Sequence, residues 1–412
     1  MNEFKSTLGH IPFESVTRIM DGAKLILQQE DGIVQDAFLI LTAPLRGFEK
    51  LVIGKDPLFT IKAVMRICGV CHVAHANATA EAIESAVGLF PPRNTLLMRE
   101  LLGLVNRIQT HTILLPMVST DMIVEERRNE LVFSLIKLYG KVSDYLLKLG
   151  GGVTHPPYLT IGGISKVPKW SVLNHLKAKL PKIEEKWEEI KGVLLDEDNL
   201  TEIADELRTK IVRNEFLASN LFFGDKYKVF FKGIRTIPYW EYREEPGELV
   251  NEATVMVAFY KGKVVEVGPR ARLMLFTPFR GVSLFGLYTA RILEIDLAFK
   301  RIKEILSEIN TKAPFRRQNM IFGSGKGIGV YEAPRGTLFH YVKLDGEGKI
   351  SRLKIISPTM FNIPVIENAV KGLTVEAAEV AVKLFDPCIP CTTHVEHVQK
   401  NYKTANIPHL GG

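Results

Sequence analysis

Two stretches carry every cysteine in the 412-residue chain: RICGVCHVAH, residues Arg66–His75, and FDPCIPCTTH, residues Phe385–His394. Each holds a Cys-x-x-Cys pair, Cys68 with Cys71 and Cys388 with Cys391, and no cysteine is left over. Such a pair presents two sulfurs to one centre, and thiolates select soft or borderline metals: zinc, iron–sulfur clusters, copper(I) or nickel. The first pair opens a predicted helix, CHVAHANATAEAIESAVGLF, whose N-terminal partial charge favours thiolates. The second follows an amphipathic helix, TVEAAEVAVKLF, and is broken from it by Pro387. By spacing alone, a structural zinc site on four cysteines is the plain reading. Against it, structural zinc knits short loop-rich segments, and a chain this long needs no metal staple. Two pairs at opposite ends of the sequence suit a site at the centre of a large fold.

Outward from the pairs, residues 23–42 alternate apolar and polar about Asp31-Gly32, a hairpin signal. Residues 94–118 read as a helix with Asn94 as its N-cap and Leu97, Leu101, Leu104 and Ile108 on one face. Residues 122–149 and 170–195 give two more long helical patterns. A further helix places Ile292, Ile295, Phe299, Ile302, Leu306 and Ile309 on one face, which must pack on another helix. Residues 252–267 and 328–356 read as hairpins, the second turning at LDGEGK; residues 196–250 follow no clear pattern. The expected fold is mainly α with α+β decoration, a bundle of long helices carrying small antiparallel sheets. A βαβ parallel sheet does not fit helices this long and hairpins this local.

A net charge of +7, with lysines interleaved with glutamates as in LKAKLPKIEEKWEEIKG, describes a solvated surface and no nucleic-acid stripe. No apolar run approaches the roughly 18 residues of a membrane span. The start, MNEFKSTLGHIPFESVTRIMDG, lacks the basic and apolar regions of a signal peptide. Reduced cysteines with that start point to the cytoplasm.

The wording of the two motifs, Arg-x-Cys-Gly-x-Cys-x-x-x-His and Asp-Pro-Cys-x-x-Cys-x-x-His, resembles the large, catalytic subunit of nickel–iron hydrogenases. RGFEKLVIGKDP (Arg46–Pro57), THPPYLTIGG, VEVGPRAR, YEAPRG and SPTMFNIP extend the likeness over nearly the whole chain, least well at 196–250. VEVGPRAR and SPTMFNIP look most like the soluble deazaflavin-reducing hydrogenases of methanogens. The resemblance implies one hydrogenase domain over residues 1–394, with a hairpin region at about 12–60 packed on the helical core.

It also implies a site. Cys68 and Cys388 would be terminal nickel ligands, and Cys71 and Cys391 would bridge nickel to an iron carrying carbon monoxide and cyanide. Dihydrogen would be split heterolytically, with the Cys388 thiolate or Arg335 taking the proton. Arg335, Asp121 and Asp386 would form a polar canopy in which two carboxylates hold the arginine; taken alone, the same residues make an ordinary salt bridge. Arg66 and His75 would bond to cysteine sulfur and tune it. A lone His75 would otherwise be a satisfied core histidine. Glu49 and His394 would hold magnesium (or iron) near the C-terminus, where Glu49 is otherwise a surface residue.

Two positions depart from the family pattern. Where the family carries a proton-relaying Glu after its N-terminal arginine, TRIMDGAKL has Met20, which carries no proton; Asp21, Glu14 or a water chain would have to serve. Pro390 lies between the last cysteines, where a small or polar residue is commoner. Residues 395–412 resemble the tail that an endopeptidase removes after nickel insertion.

With no cysteine left for an electron relay, the partners implied are a small iron–sulfur subunit and an electron-acceptor (flavin or deazaflavin) subunit. Maturation proteins would be transient partners. The competing readings are a dihydrogen sensor or slow variant, given Met20, and a structural zinc or complex-I-like subunit.

Overall fold

The computed structural model describes residues 8–12, 22–244, 247–317 and 320–392. Four long helices form its centre: Arg93–Met122, Glu125–Gly150, Trp170–Leu195 and Phe285–Glu308. Each turns apolar side chains spaced three residues apart toward one seam. Val105 and Ile108 meet Val142 and Tyr145, Leu180 and Ile183, and Phe299 and Ile302. This is the packing that the 3.6-residue periodicity demands, because an apolar stripe must be buried against another one. The helix expected at 94–118 begins one residue earlier and runs four further. Pro92 occupies the N-cap, and Asn94, expected there, instead donates Nδ2 to the carbonyls of Asn310 (2.6 Å) and Ala313 (3.2 Å).

The N-terminal hairpin is present as Ala23–Glu30 and Ile33–Leu41, antiparallel, with Asp31 and Gly32 both at positive φ (51° and 79°) in its turn. That geometry matches the right-handed twist of the flanking strands. A third strand, Leu8–Pro12, pairs on its outer side. The helix Pro358–Ala369 packs on this sheet, and Leu39 N donates to Glu367 Oε1 at 2.9 Å.

The hairpin expected at 328–356 is a three-stranded meander: Gly325–Ala333, Gly336–Leu344 and Ile350–Ile356. Besides the anticipated turn at LDGEGK, it has a tighter one, in which only Pro334 and Arg335 separate the paired Ala333 and Gly336. The segment expected as a hairpin at 252–267 has a turn at Lys261-Gly262, both at positive φ. Its strands, however, pair elsewhere: Met256–Tyr260 with Ile234–Pro238, antiparallel, and Val265–Glu266 with Glu215–Phe216, parallel. The partners lie in the segment whose sequence shows no periodicity, so local pattern could not reveal them.

One packing contact sets the position of the cysteine region. The helix His72–Ala86 lies directly on strand Gly325–Ala333, whose inner face is glycine at alternate positions. A Cβ on Gly325, Gly327 or Gly329 would sit 2.0, 2.1 or 1.9 Å from the carbonyl oxygens of Ala86, Ala82 and Ala78. Without side chains, strand and helix backbones touch, and the next strand comes within side-chain reach of the same helix. Gly329→Ala should therefore destabilise the chain by about 1–3 kcal/mol. Thermal or denaturant unfolding will measure it, and an unchanged midpoint would mean the close approach is not needed.

Candidate metal centre

Cys71 is the N-cap of helix His72–Ala86, and Cys68 lies in the short loop after helix Pro57–Met65. Arg46 holds that loop by donating Nη1 to the carbonyl of Ile67 (2.6 Å) and Nη2 to that of Arg66 (2.8 Å). From the other side Asn106 Nδ2 donates to Val70 O at 2.9 Å. The second pair follows helix Val375–Phe385, which ends because Asp386 is left-handed (φ 55°) and Pro387 cannot continue it. Cys388 N then donates to Thr359 Oγ1 at 2.9 Å.

These supports bring the four sulfurs within 4.8 Å of one another, all buried. The separations are 3.6 Å for Cys68–Cys388, 3.2 Å for Cys71–Cys391 and 2.8 Å for Cys388–Cys391. All four are free thiols, not disulfides. Sulfurs sharing one ion at bonds of about 2.3 Å lie about 3.8 Å apart, so the cluster has the dimensions of a metal site. Its electrostatics are divided. Hydrogen bonding from Cys388, with that from Cys391 and Cys71, pushes the Cys68 thiol well below its ordinary value. Burial pushes Cys391 well above it. Four thiolates cannot coexist in this dry space without a cation, which is the condition for soft-metal binding.

Arg335 stands at the tip of its hairpin, almost fully buried. It donates Nε to the carbonyl of Asp386 (2.8 Å) and Nη2 to Asp386 Oδ1 (3.0 Å). Burial opposes its charge, but Asp386 and the cysteine sulfurs outweigh that and hold it well above the ordinary guanidinium value. Its Nη1 is buried and has no hydrogen-bond partner among the described residues.

The clamp differs from expectation in one contact. Asp121 does not form the second carboxylate on Arg335. It lies in the last turn of helix Arg93–Met122, and its Oδ2 accepts from Lys383 Nζ at 2.9 Å. Arg66 also differs. It is exposed and donates Nη1 to Lys62 O in its own helix (2.7 Å), so backbone groups bond to sulfur instead: Val70 N and Cys71 N lie 3.3 and 3.4 Å from Cys68 Sγ. His75 is fully buried with Nε2 3.4 Å from Cys391 Sγ, and burial pushes its imidazole down to about 4. Glu49 is 2% exposed and accepts Ile355 N at 2.6 Å. Glu14, Met20, Asp21 and His394 lie outside the described residues.

Sequence reading overlooked a charged scaffold beneath the clamp. Arg272 donates Nη1 to Ala333 O (2.8 Å) and Nη2 to Pro334 O (3.2 Å), gripping the turn that presents Arg335. Arg291 donates Nε and Nη2 to Leu384 O (3.1 and 2.6 Å), two residues before Asp386. Glu294 balances two cations, meeting Arg272 at 2.5 Å and Arg107 at 3.6 Å, and accepts from His111 at 2.9 Å, an imidazole that burial pushes down to about 4 and so keeps neutral. Burial alone would raise its pKa, but Arg272 and Arg107 hold the carboxyl far below its usual range. The signal was present in VEVGPRAR, but its partners are distant in sequence.

A family model described as nickel-dependent hydrogenase matches residues 46–117 and 280–394, which span both cysteine pairs. The chain is 33% identical to "Coenzyme F420 hydrogenase subunit alpha" of Methanocaldococcus jannaschii, over 98% of each chain. It is 31% identical to the protein of the same name from Methanothermobacter thermautotrophicus, over 90% of this chain and 92% of the relative. It is 27% identical to sulfhydrogenase 1 subunit alpha of Pyrococcus furiosus, over 91% and 95%. The Ni-Fe-Se hydrogenase of Desulfovibrio vulgaris Hildenborough has the same fold, with a TM-score of 0.81, 22% identity, and coverage of 94% of this chain and 100% of that one. The chain therefore belongs to the nickel-dependent hydrogenases. Within that family it is a large, catalytic subunit with a four-cysteine metal site.

Removing the scaffold's central cation leaves buried carboxylates uncompensated. Arg272→Met should cost about 3–5 kcal/mol in denaturant unfolding of the chain. A loss below about 1 kcal/mol would show that the cluster is not coupled.

Proposed function

We propose that the chain catalyses the heterolytic, reversible oxidation of dihydrogen at a nickel–iron centre held by Cys68, Cys71, Cys388 and Cys391. The observation that carries this is the closeness of four buried free sulfurs, drawn from both ends of a chain of this family. Nickel, with an iron bearing carbon monoxide and cyanide, would supply the electrophile that polarises dihydrogen. In this reading Cys68 and Cys388 would hold the nickel, and Cys71 and Cys391 would be shared between nickel and iron. The unpartnered Nη1 of Arg335 suits an anionic diatomic ligand, which would satisfy a buried donor that the protein leaves unmatched.

The protein's part is to receive and move the proton. Cys388 Sγ is the base, with Arg335 beside it as a fixed positive charge. Asp386 orients that guanidinium through two contacts and keeps it rigid. Asp121, through Lys383, steadies the helix end from which Asp386 projects. His75 donates to Cys391 and tunes it. With Met20 in place of the family's relay Glu, Asp21, Glu14 or water carries the proton out.

Glu49, a buried carboxylate, would bind magnesium (or iron) together with His394. Electrons would leave to a small iron–sulfur subunit and on to a flavin or deazaflavin acceptor subunit in the cytoplasm. The relatives named for coenzyme F420 support that acceptor. No helix among the described residues is long and apolar enough to cross a membrane. Residues 395–412 would be removed by an endopeptidase after maturation proteins have loaded the site. A second reading, a dihydrogen sensor, is favoured only by Met20.

The test is metal analysis and infrared spectroscopy of the purified complex, with dihydrogen-dependent reduction of a viologen and of the deazaflavin. One nickel per large subunit, iron in excess of nickel because the small subunit carries iron–sulfur clusters, diatomic-ligand bands and rapid turnover are expected. Zinc in the site, or bands with negligible turnover, would overturn catalysis. Arg335→Leu should lower turnover by about 100- to 1000-fold while the metals remain bound. The mature subunit should have the mass of a chain ending at His394.

A further inference from the structure

His340 lies on the central strand of the meander, opposite Gly329, and is fully buried. The glycine-lined contact brings it against helix His72–Ala86. There it meets two side chains one helical turn apart. His340 Nε2 is 3.1 Å from His75 Nδ1, and His340 Nδ1 is 2.6 Å from Thr79 Oγ1. With His75 Nε2 lying 3.4 Å from Cys391 Sγ, the four residues form one continuous hydrogen-bonded chain.

The direction of that chain follows from valence. A metal-bound thiolate only accepts, so His75 must place its proton on Nε2. A neutral imidazole carries one N–H, which leaves His75 Nδ1 an acceptor. His340 must then donate from Nε2 and accept at Nδ1. The Thr79 hydroxyl, which can donate or accept, is left as the donor that ends the chain. We propose that Thr79 and His340 are positioning residues that fix the tautomers of both rings and set His75 as the N–H donor to the Cys391 thiolate. Each donor polarises the next, so the Thr79 hydroxyl strengthens a bond to sulfur two residues away.

The inference rests on the reading of Cys391 as a metal-bound thiolate. Losing the Thr79 donor weakens the His75 bond to sulfur, leaves the thiolate richer in electrons and passes that density to the iron. Thr79→Val keeps the side chain's shape and removes the hydroxyl; Thr79→Ser restores it.

Infrared spectra of the metal-loaded complex read the effect. In Thr79→Val the carbon monoxide band should move to lower wavenumber, beyond the wild-type linewidth, while Thr79→Ser keeps the wild-type position. Bands that do not move in Thr79→Val would overturn the relay and leave the metal assignment standing. No diatomic bands in wild type would overturn the metal assignment instead. The relay is then decided by nitrogen NMR of the histidine-labelled full chain loaded with zinc. Nε2–H on both His75 and His340 upholds it, and Nδ1–H on either overturns it.

Discussion

Four cysteine sulfurs within 4.8 Å of one another, in a core that excludes water, are untenable as anions and wasteful as thiols. Everything near them reads as a response to that constraint. The protein builds the cluster from two segments that each bring their own supports: a loop held by Arg46 and Asn106, and a helix end pinned at Leu384 and Cys388. Soft ligands held this close in a dry space commit the chain to a metal centre.

The positive charge needed nearby is supplied by Arg335, and it is not placed by its own hydrogen bonds alone. Arg272 grips the carbonyls on its N-terminal side, and Arg291 grips the carbonyl leading to its partner Asp386. Glu294 balances Arg272 directly and sits one turn from Arg291 on the same helix. A buried network of this kind is worth little as net stability, but breaking one member is expensive. That asymmetry makes it a means of holding a reactive charge to one position.

Backbone contact plays the matching role on the opposite side. Glycines at alternate positions of strand Gly325–Ala333 let a helix rest on bare peptide. The neighbouring strand thereby delivers His340 to His75, on the helix that Cys71 begins. Site geometry is thus set by absent side chains as much as by present ones.

The four cysteines, the long amphipathic helices and the Asp31-Gly32 hairpin were legible in the residues because each depends on local spacing: Cys-x-x-Cys, the 3.6-residue stripe and a turn that needs positive φ. The same spacing carried the family likeness, and with it Arg335, Asp386 and His75 as residues of the site. Contacts between distant segments were not legible. Nothing in LFHYV marks His340 as a neighbour of His75, and nothing in VEVGPRAR says that Arg272 will hold the turn before Arg335. Asp121 shows the reverse case. Its place in the family pattern suggested Arg335, but packing at the end of its helix turned it to Lys383. Local chemistry and periodicity are written along the chain. Which side chains meet is decided by how helices and strands pack, a property of distances that sequence order does not contain.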